Sequence, residues 1–277
     1  MTTIVQGIES IWRDVPPLIG MVHLLPLPGA PAWGGSMEAV IDRATADADV
    51  LTESGFNAVM VENYSDVPFF RGSVPAETVA AMTAVVVAVR GTTSLPVGVN
   101  VLRNDPLAAV GIAAASGALF VRVNVHTGSM WTDQGLVEGD ASLTLRLRAR
   151  LGTRVAILAD VHVKHATPPS GAEIGATAAD TWYRGLADAL IVSGVGTGAP
   201  TRSGDLEAVR AAVPEAPVLV GSGVTPQNAS RAMGGASGAI VGSAVMAGGV
   251  AGSGVELSRA RALVEAVGSS WKSGATR

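Results

Sequence analysis

One apolar stretch of the chain, Val155–His165, becomes polar in a regular pattern towards its end. Asp160, His162 and Lys164 alternate there with apolar residues. Successive side chains of a β-strand point to opposite faces, so the pattern predicts an acid, an imidazole and an amine on one face of a strand. Because buried polar groups are costly unless they are satisfied, we predict that Asp160, His162 and Lys164 are catalytic. A strand that frays into a solvated loop is the structural alternative.

Polar side chains also follow the other apolar stretches. Glu62 ends one of them and supplies, with Asp160, the two carboxylates that acid/base chemistry can use, so we predict that it is catalytic. The other polar residues at or just after strand ends are predicted to bind the substrate: His23, Asn63, Asn100, Arg122, Asn124, His126, Ser193 and Thr197. The active site of a (β/α)8 barrel lies at the carboxyl ends of its strands, and this distribution favours that fold.

Two short glycine–serine turns predict an anion site. Gly221-Ser222-Gly223 and Gly242-Ser243 each follow an apolar stretch near the end of the chain. Glycines let backbone N–H groups approach a ligand closely, and barrels commonly bind phosphate at the loops after strands 7 and 8. We therefore predict that these five residues bind phosphate, with a pair of tight turns as the structural alternative. A glycine-rich loop, Gly194–Thr201, is expected either to close over a substrate or to be a flexible surface loop.

Two other kinds of chemistry could use the same side chains. His162 and His165, with Asp160 and Glu62, are of the types that bind divalent ions. The first predicted strand lacks the His-x-His pair that is typical of barrel metallohydrolases, so we assign no metal ligand and no cofactor, and a divalent metal ion remains an alternative. Lys164 could also form a Schiff base, which requires a desolvated amine.

Eight strand-then-helix units are predicted from the apolar stretches and their flanking residues. The predicted strands are 18–24, 58–62, 95–102, 119–125, 155–165, 189–193, 218–220 and 239–241, and the predicted helices are 37–54, 75–90, 106–117, 142–151, 174–185, 205–213, 226–233 and 255–267. Alternation of this kind indicates a parallel sheet, and eight units favour closure. We predict a single α/β domain, a (β/α)8 TIM barrel, over residues 1–270 and a disordered tail over 271–277. The alternative is an open doubly wound sheet, whose first loop is normally glycine-rich, whereas this one is proline-rich.

The composition excludes several classes of partner. The 277 residues carry a net charge of −4 with no basic block, so we expect no nucleic-acid partner. The absence of cysteine excludes disulfides and thiolate zinc sites. We expect a cytoplasmic protein, because the N-terminus does not resemble a signal peptide and no apolar stretch is long enough to span a membrane. The mean hydropathy of +0.39 fits a large core; we also expect a homo-oligomer and keep a peripheral membrane contact as an alternative.

Several motifs together resemble the BtpA/SgcQ family, in family order over nearly the whole chain. They are Gly20–Leu24 with Pro26–Pro31, Glu62-Asn63, Asp133–Gly135 with Glu138-Gly139, Asp160–His165, and Thr197-Gly198 with Pro200-Thr201. The resemblance implies a barrel of the ribulose-phosphate-binding type, in agreement with the two glycine–serine turns. It implies little about the reaction, because the cyanobacterial namesake of the family is implicated in photosystem I biogenesis.

These observations support one main hypothesis and two alternatives. The main hypothesis is an enzyme that acts on a phosphorylated sugar or nucleotide-like molecule by acid/base chemistry, as cleavage or transfer at a glycosidic carbon or as isomerisation. On this hypothesis, replacing Asp160 by Asn should abolish turnover and leave the fold intact. The alternatives are a non-catalytic assembly or stability factor and a metal-dependent hydrolase.

Overall fold

The strands close into a parallel barrel. The computed structural model describes residues 16–194 and 196–274. The strands are β1 (Leu18–His23), β2 (Ala58–Glu62), β3 (Val97–Asn100), β4 (Phe120–Val123), β5 (Ser129–Thr132), β6 (Gly135–Glu138), β7 (Ala156–Val161), β8 (Ala166–Thr167), β9 (Ala189–Val192), β10 (Val218–Val220) and β11 (Gly238–Val241). Eight of them form the barrel in the order β1-β11-β10-β9-β7-β4-β3-β2, and β1 pairs with β2 to complete the ring. The predicted (β/α)8 TIM barrel is confirmed.

Helices connect the barrel strands on the outside. They are α1 (Met37–Ser54), α2 (Ala76–Thr92), α3 (Pro106–Ser116), α4 (Ala141–Arg150), α5 (Ile174–Ala179), α6 (Ser203–Ala212), α7 (Ala229–Ala232) and α8 (Leu257–Gly274). Side chains cap two of these helices: Ser36 Oγ accepts from the N–H of Ala39, and Asp105 Oδ1 accepts from the N–H of Ala108. No helix of the described residues is long and apolar enough to cross a membrane.

Three helices differ from their predicted bounds by three or more residues at one end. The predicted helix 174–185 changes after Ala179 into a π-helical turn, Asp180–Arg184. The predicted helix 226–233 shortens to the single turn α7, because the side chain of Asn228 bonds back to the N–H of Thr225 and the carbonyl of Gly223 instead of continuing a helix. The predicted helix 255–267 extends to Gly274 as α8 and so includes the first four residues of the tail that was expected to be disordered; residues 275–277 lie outside the described part.

A β-hairpin replaces the long loop expected after the fourth barrel strand. β5 pairs with β6 and also with β8, which forms a three-stranded antiparallel sheet. A small apolar cluster lies behind this sheet and is made of the side chains of Val125, Met130, Val137 and Val163. The loop at the carboxyl end of β4 is therefore an ordered wall.

The barrel interior is packed below the site. Its core is made of inward-facing apolar side chains, among them Ile19, Met21, Met60, Phe120, Leu158, Ile191 and Ile240. The ring of Phe120 occupies the space where Gly98 would otherwise carry a Cβ atom. A second, larger apolar layer lies between the strands and the helices. The polar side chains are left to the carboxyl ends of the strands.

Candidate active site

The strand register assembles a row of polar side chains at the top of the barrel. His23 is the Cα partner of Glu62, Glu62 of Asn100, and Asn100 of Arg122. Residues paired in register project from the same face of a sheet, which here is the barrel interior. All four side chains are buried, so they form the floor of the candidate site.

Arg122 and Asp160 form a buried ion pair in this floor. Nε and Nη2 of Arg122 donate to Oδ2 and Oδ1 of Asp160, both at 2.8 Å. Ser193 Oγ donates to Oδ1 at 3.2 Å, and Asn124 Nδ2 donates to Oδ2 at 3.1 Å. Both carboxylate oxygens therefore have two donors each. This geometry favours a positioning role for Asp160 over the acid/base role expected from the sequence.

Glu62 is a different kind of carboxylate. It is buried, and within the described residues its nearest ionisable partner is His23, with Nε2 3.6 Å from Oε1. Burial raises the pKa of Glu62, against the lowering effect of Lys164 and Arg122. A carboxyl whose pKa is raised by burial is suited to the role of a general acid.

His23 is held neutral beside this carboxyl. Burial, with the positive charges of Lys164 and Arg122, lowers the pKa of His23 to about 3. Its ring stacks on Tyr64, with centroids 4.2 Å apart and planes 8° from parallel. Nδ1 of His23 is buried without a hydrogen-bond partner among the described residues. The stack therefore orients an imidazole that has one free polar atom.

Lys164 extends over the floor. Burial, then the charge of Arg122, lowers the pKa of the Lys164 amine, while Glu62 and Asp160 oppose the shift. Within the described part of the chain, no hydrogen bond or ion pair below 4 Å holds its Nζ atom. The amine is thus available to a bound molecule.

A cavity of about 620 Å³, which we call the first chamber, opens above Lys164. Its lining includes His23, Arg122, Lys164, Thr197, Gly198, Gly221, Ser222, Gly223, Gly242 and Ser243. All five residues predicted to bind phosphate thus line one chamber. Within the described residues, the backbone N–H groups of Gly223, Gly242 and Ser243 have no protein acceptor. Unpaired N–H groups of this kind are what an anion requires.

The first glycine–serine turn also has a packing role. Ser222 Oγ accepts from the N–H of Gly194 and donates to the carbonyl of Ala199. Gly223 has a φ of +71°, and a Cβ atom there would collide with Ala199 and Pro200. This turn therefore holds the loop after β9, and the Ser222 hydroxyl is occupied. The second turn, at Gly242 and Ser243, is the less constrained of the two.

The loop after β9 is also tied to the loop after β7. His165 Nε2 accepts from the N–H of Thr197 at 3.1 Å and pairs with its hydroxyl at 2.9 Å. Thr197 lines the first chamber, as expected for a substrate-binding residue, although its hydroxyl already has a partner. The loop is thus held against the site by its neighbours.

Four predicted site residues already form hydrogen bonds with other parts of the protein. The amide of Asn63 bonds to both backbone groups of Leu102 and to Asp66. The amide of Asn100 donates to Asn124 and to the carbonyl of Arg122 within the floor. His126 Nε2 donates to the carbonyl of Gly185, and His162 Nε2 pairs with Thr177 outside the barrel.

Asn100 faces inward and uses its amide on its neighbours in the floor, whereas the other three residues lie off the inward-facing alternation. Asn63 follows the inward Glu62 by one residue, and His126 lies beyond the end of β4. His162 follows the end of β7 and has a φ of 56°, which breaks the alternation expected for Asp160, His162 and Lys164. Among the described residues, no group of three or more His, Asp or Glu side chains is arranged to bind a metal ion.

A second chamber of about 640 Å³ adjoins the first. Its lining includes Pro26, Ala32, Glu62, Tyr64, Val67, Phe69, Leu102, Arg103, Asn124, Asp133, Lys164, His165 and Thr197. Sequence reasoning missed the contributions of Tyr64 and Arg103. Tyr64 lies two residues after Glu62, so the alternation argument could have included it, whereas Arg103 lies in a loop whose path no local pattern predicts.

Known proteins place the chain in a family. The sequence profile of the BtpA family matches residues 14–269. The photosystem I biogenesis protein BtpA of Synechocystis is 44% identical over 93% of this chain and 90% of its own length. An uncharacterized protein of Pyrococcus horikoshii is 47% identical over 91% and 95%, and the SgcQ protein of Escherichia coli, described as a putative sgc region protein, is 32% identical over 90% and 93%.

Solved structures with little sequence identity share the fold. The geranylgeranylglyceryl phosphate synthase of Thermoplasma acidophilum, in complex with sn-glycerol-1-phosphate, has a TM-score of 0.61 at 14% identity and covers 96% of this chain and 99% of its own. The thiamine phosphate pyrophosphorylase of Pyrococcus furiosus has a TM-score of 0.58 at 16% identity over 92% and 96%. The full-length match to the family profile and to its members shows that this chain belongs to the BtpA family.

Proposed function

We propose that this chain is an enzyme that binds a phosphorylated small molecule and performs acid/base chemistry at the carboxyl face of the barrel. The observation that carries the proposal is the composition of the first chamber. Both glycine–serine turns, with unpaired backbone N–H groups, line it together with the free amine of Lys164. Such a site binds phosphate through amide dipoles and one cation, without a basic surface patch.

Glu62 is the best candidate for the proton donor. Its pKa is raised by burial, and it lines the second chamber together with Lys164. In this proposal Glu62 protonates a leaving or carbonyl oxygen, Lys164 stabilises the negative charge that develops, and the Arg122–Asp160 pair fixes the position of the floor. Cleavage or transfer at a glycosidic carbon fits these roles when water or an acceptor hydroxyl replaces the leaving oxygen at that carbon. Sugar isomerisation fits when the proton given to the carbonyl oxygen is matched by one that leaves the neighbouring carbon.

The first test is ligand binding. Inorganic phosphate and ribose 5-phosphate are the probes, and a ligand at a hundredfold excess over its Kd should add about 2.7 kcal/mol to the free energy of unfolding. Ser243→Glu places a negative charge in the first chamber and should remove the effect. Ser230→Glu, on an exposed position of α7, is the matched control and should not. Equal responses of both variants, or no response of the native protein, would refute the phosphate site.

An assembly or stability factor is the second candidate. It is favoured by the 44% identity to the photosystem I biogenesis protein of Synechocystis. Against it stands the buried carboxyl of Glu62, because a buried polar group is costly to keep unless it has a use. Glu62→Gln separates the two: the variant should lose turnover but keep any assembly function when it is expressed in Synechocystis lacking its relative. Loss of that function in the variant would tie biogenesis to the chemistry.

The proposal also covers the cellular location and the oligomeric state of the enzyme. We propose a cytoplasmic homo-oligomer that acts on a soluble substrate, and exposed aromatic side chains such as Trp131 and Phe70 are candidates for the contact between copies. Light scattering of the purified chain tests the oligomeric state.

A further inference from the structure

The two chambers are joined at one point. Among the described residues, Lys164 and Thr197 are the two that line both chambers. Each chamber has room for a ring-sized group, at about 620 and 640 Å³. A molecule that filled only the first chamber would leave an equally large cavity beside the amine of Lys164.

The second chamber differs in chemistry from the first. Its walls are apolar and aromatic, from Tyr64, Val67, Phe69 and Leu102, where the first chamber has glycines and hydroxyls. The stack on His23 fixes the plane of the Tyr64 ring. Flat aromatic walls favour flat ligands, because ring stacking adds to the burial of apolar area.

Polar side chains interrupt these walls at defined places. Arg103, Asp133 and Asn124 line the same chamber, and the buried carboxyl of Glu62 lies at its floor. The guanidinium of Arg103 is fixed, because Nη2 donates to the backbone carbonyls of Lys164 at 2.7 Å and of His165 at 3.3 Å. An aliphatic chain would desolvate these groups without pairing them, whereas the edge of a heteroaromatic ring can hydrogen-bond with them.

We propose that the second chamber binds an aromatic or heteroaromatic ring that is joined to the phosphorylated part of the same substrate. This inference rests on the proposed function, since it takes the first chamber as the phosphate site. The substrate then spans both chambers, and the bond that joins its two parts lies beside Lys164 and within reach of Glu62. The class that fits is a phosphorylated sugar with a ring substituent, of the nucleoside 5′-monophosphate kind.

Calorimetric binding to the whole chain tests this inference. The probes are ribose 5-phosphate, four common nucleoside 5′-monophosphates and the corresponding nucleosides. At least one nucleotide should bind ten times more tightly than ribose 5-phosphate. Ala32→Trp, which fills the second chamber, and Phe69→Ala, which removes a wall, should abolish this gain and leave the affinity for ribose 5-phosphate within twofold. Ala211→Trp, on an exposed position of α6, is the matched control.

The outcomes separate the inference from the proposed function. If ribose 5-phosphate binds but no nucleotide gains more than twofold, the ring chamber is refuted and the phosphate site stands. A gain that survives both Ala32→Trp and Phe69→Ala also refutes it. If nucleosides bind and ribose 5-phosphate does not, the spanning substrate is refuted together with the phosphate site.

Discussion

At the residue scale, the Arg122–Asp160 pair shows how a barrel keeps charges below a site. Two charges removed from water are tolerated because four donors satisfy the carboxylate and the pair is bidentate. The arrangement leaves Glu62 and Lys164 without comparably tight partners. The groups that remain loosely bound are those that we assign to chemistry.

The pair predicts a stability effect for Asp160→Asn. An amide cannot compensate the buried guanidinium, so the free energy of unfolding should fall by about 3–5 kcal/mol. This replaces the expectation, from the sequence, that the variant would keep its fold and lose only turnover. Urea denaturation measures the change. The double variant Arg122→Met, Asp160→Leu removes both charges and should be more stable than Asp160→Asn; a less stable double variant would contradict the argument.

The pKa of His23, about 3, predicts a dependence of stability on pH. Between its ordinary value of 6.5 and 3, the unfolded chain binds a proton that the folded chain does not, so His23 makes the fold less stable as the pH falls. The raised pKa of Glu62 has the opposite effect on stability, and this effect is present both in the native chain and in the His23→Gln variant.

The test compares the native chain with His23→Gln. From pH 6.5 to 4.5 the native chain should lose about 2 kcal/mol more than the variant, because the slope rises towards roughly 1.4 kcal/mol per pH unit as the unfolded histidine becomes fully protonated. Denaturation series at several pH values measure both profiles. Parallel profiles would mean that His23 takes up a proton in the folded state in this range.

At the element scale, the loop after β9 depends on the turn after β10. Gly223→Ala adds a Cβ atom against Ala199 and Pro200 in a left-handed conformation. We expect the loop to detach, with faster proteolysis within 196–201 and weaker phosphate binding. Gly204→Ala is the control, because nothing lies within 4 Å of its added Cβ and alanine favours a helix by up to about 1 kcal/mol. Equal protease resistance of both variants would contradict the dependence of the loop after β9 on the turn after β10.

At the scale of the whole molecule, we expect cooperative folding to depend on the barrel strands and not on the β5–β6 hairpin. The N–H of Gly139 donates to the carbonyl of Gly128 at 2.8 Å, so the ends of the β5–β6 hairpin already meet. Excision of 129–138 with a short linker should keep one cooperative unfolding transition. Excision of 234–277 removes β11 and α8, leaves the edges of β1 and β10 unpaired, and should abolish that transition. Thermal denaturation followed by circular dichroism distinguishes the two; loss of folding in the hairpin deletion would show that the hairpin is part of the core.

The amino-acid sequence by itself determined the barrel and the position of its site. Apolar stretches separated by capped helices can bury their area in few ways, and eight such units close into a ring. Glu62, Arg122 and Asp160 were predicted as site residues from their place near strand ends, and they face the barrel interior because each lies within a strand. The five residues of the glycine–serine turns were found to line one chamber for the same reason, since each follows directly on a barrel strand.

Only the tertiary structure decided which of these residues are free. Asp160 and Lys164 look alike in sequence as polar residues of one predicted strand. In the structure the carboxylate of Asp160 accepts from four donors, whereas the amine of Lys164 has no acceptor among the described residues. Where the chain leaves the strand, periodicity no longer determines where a side chain points. His162 and His126 therefore lie away from the site, and no local pattern predicted the hairpin or the position of Arg103. Hydrogen-bond partners across 30 or more residues of chain depend on packing, and packing is a property of the closed barrel and not of any local pattern.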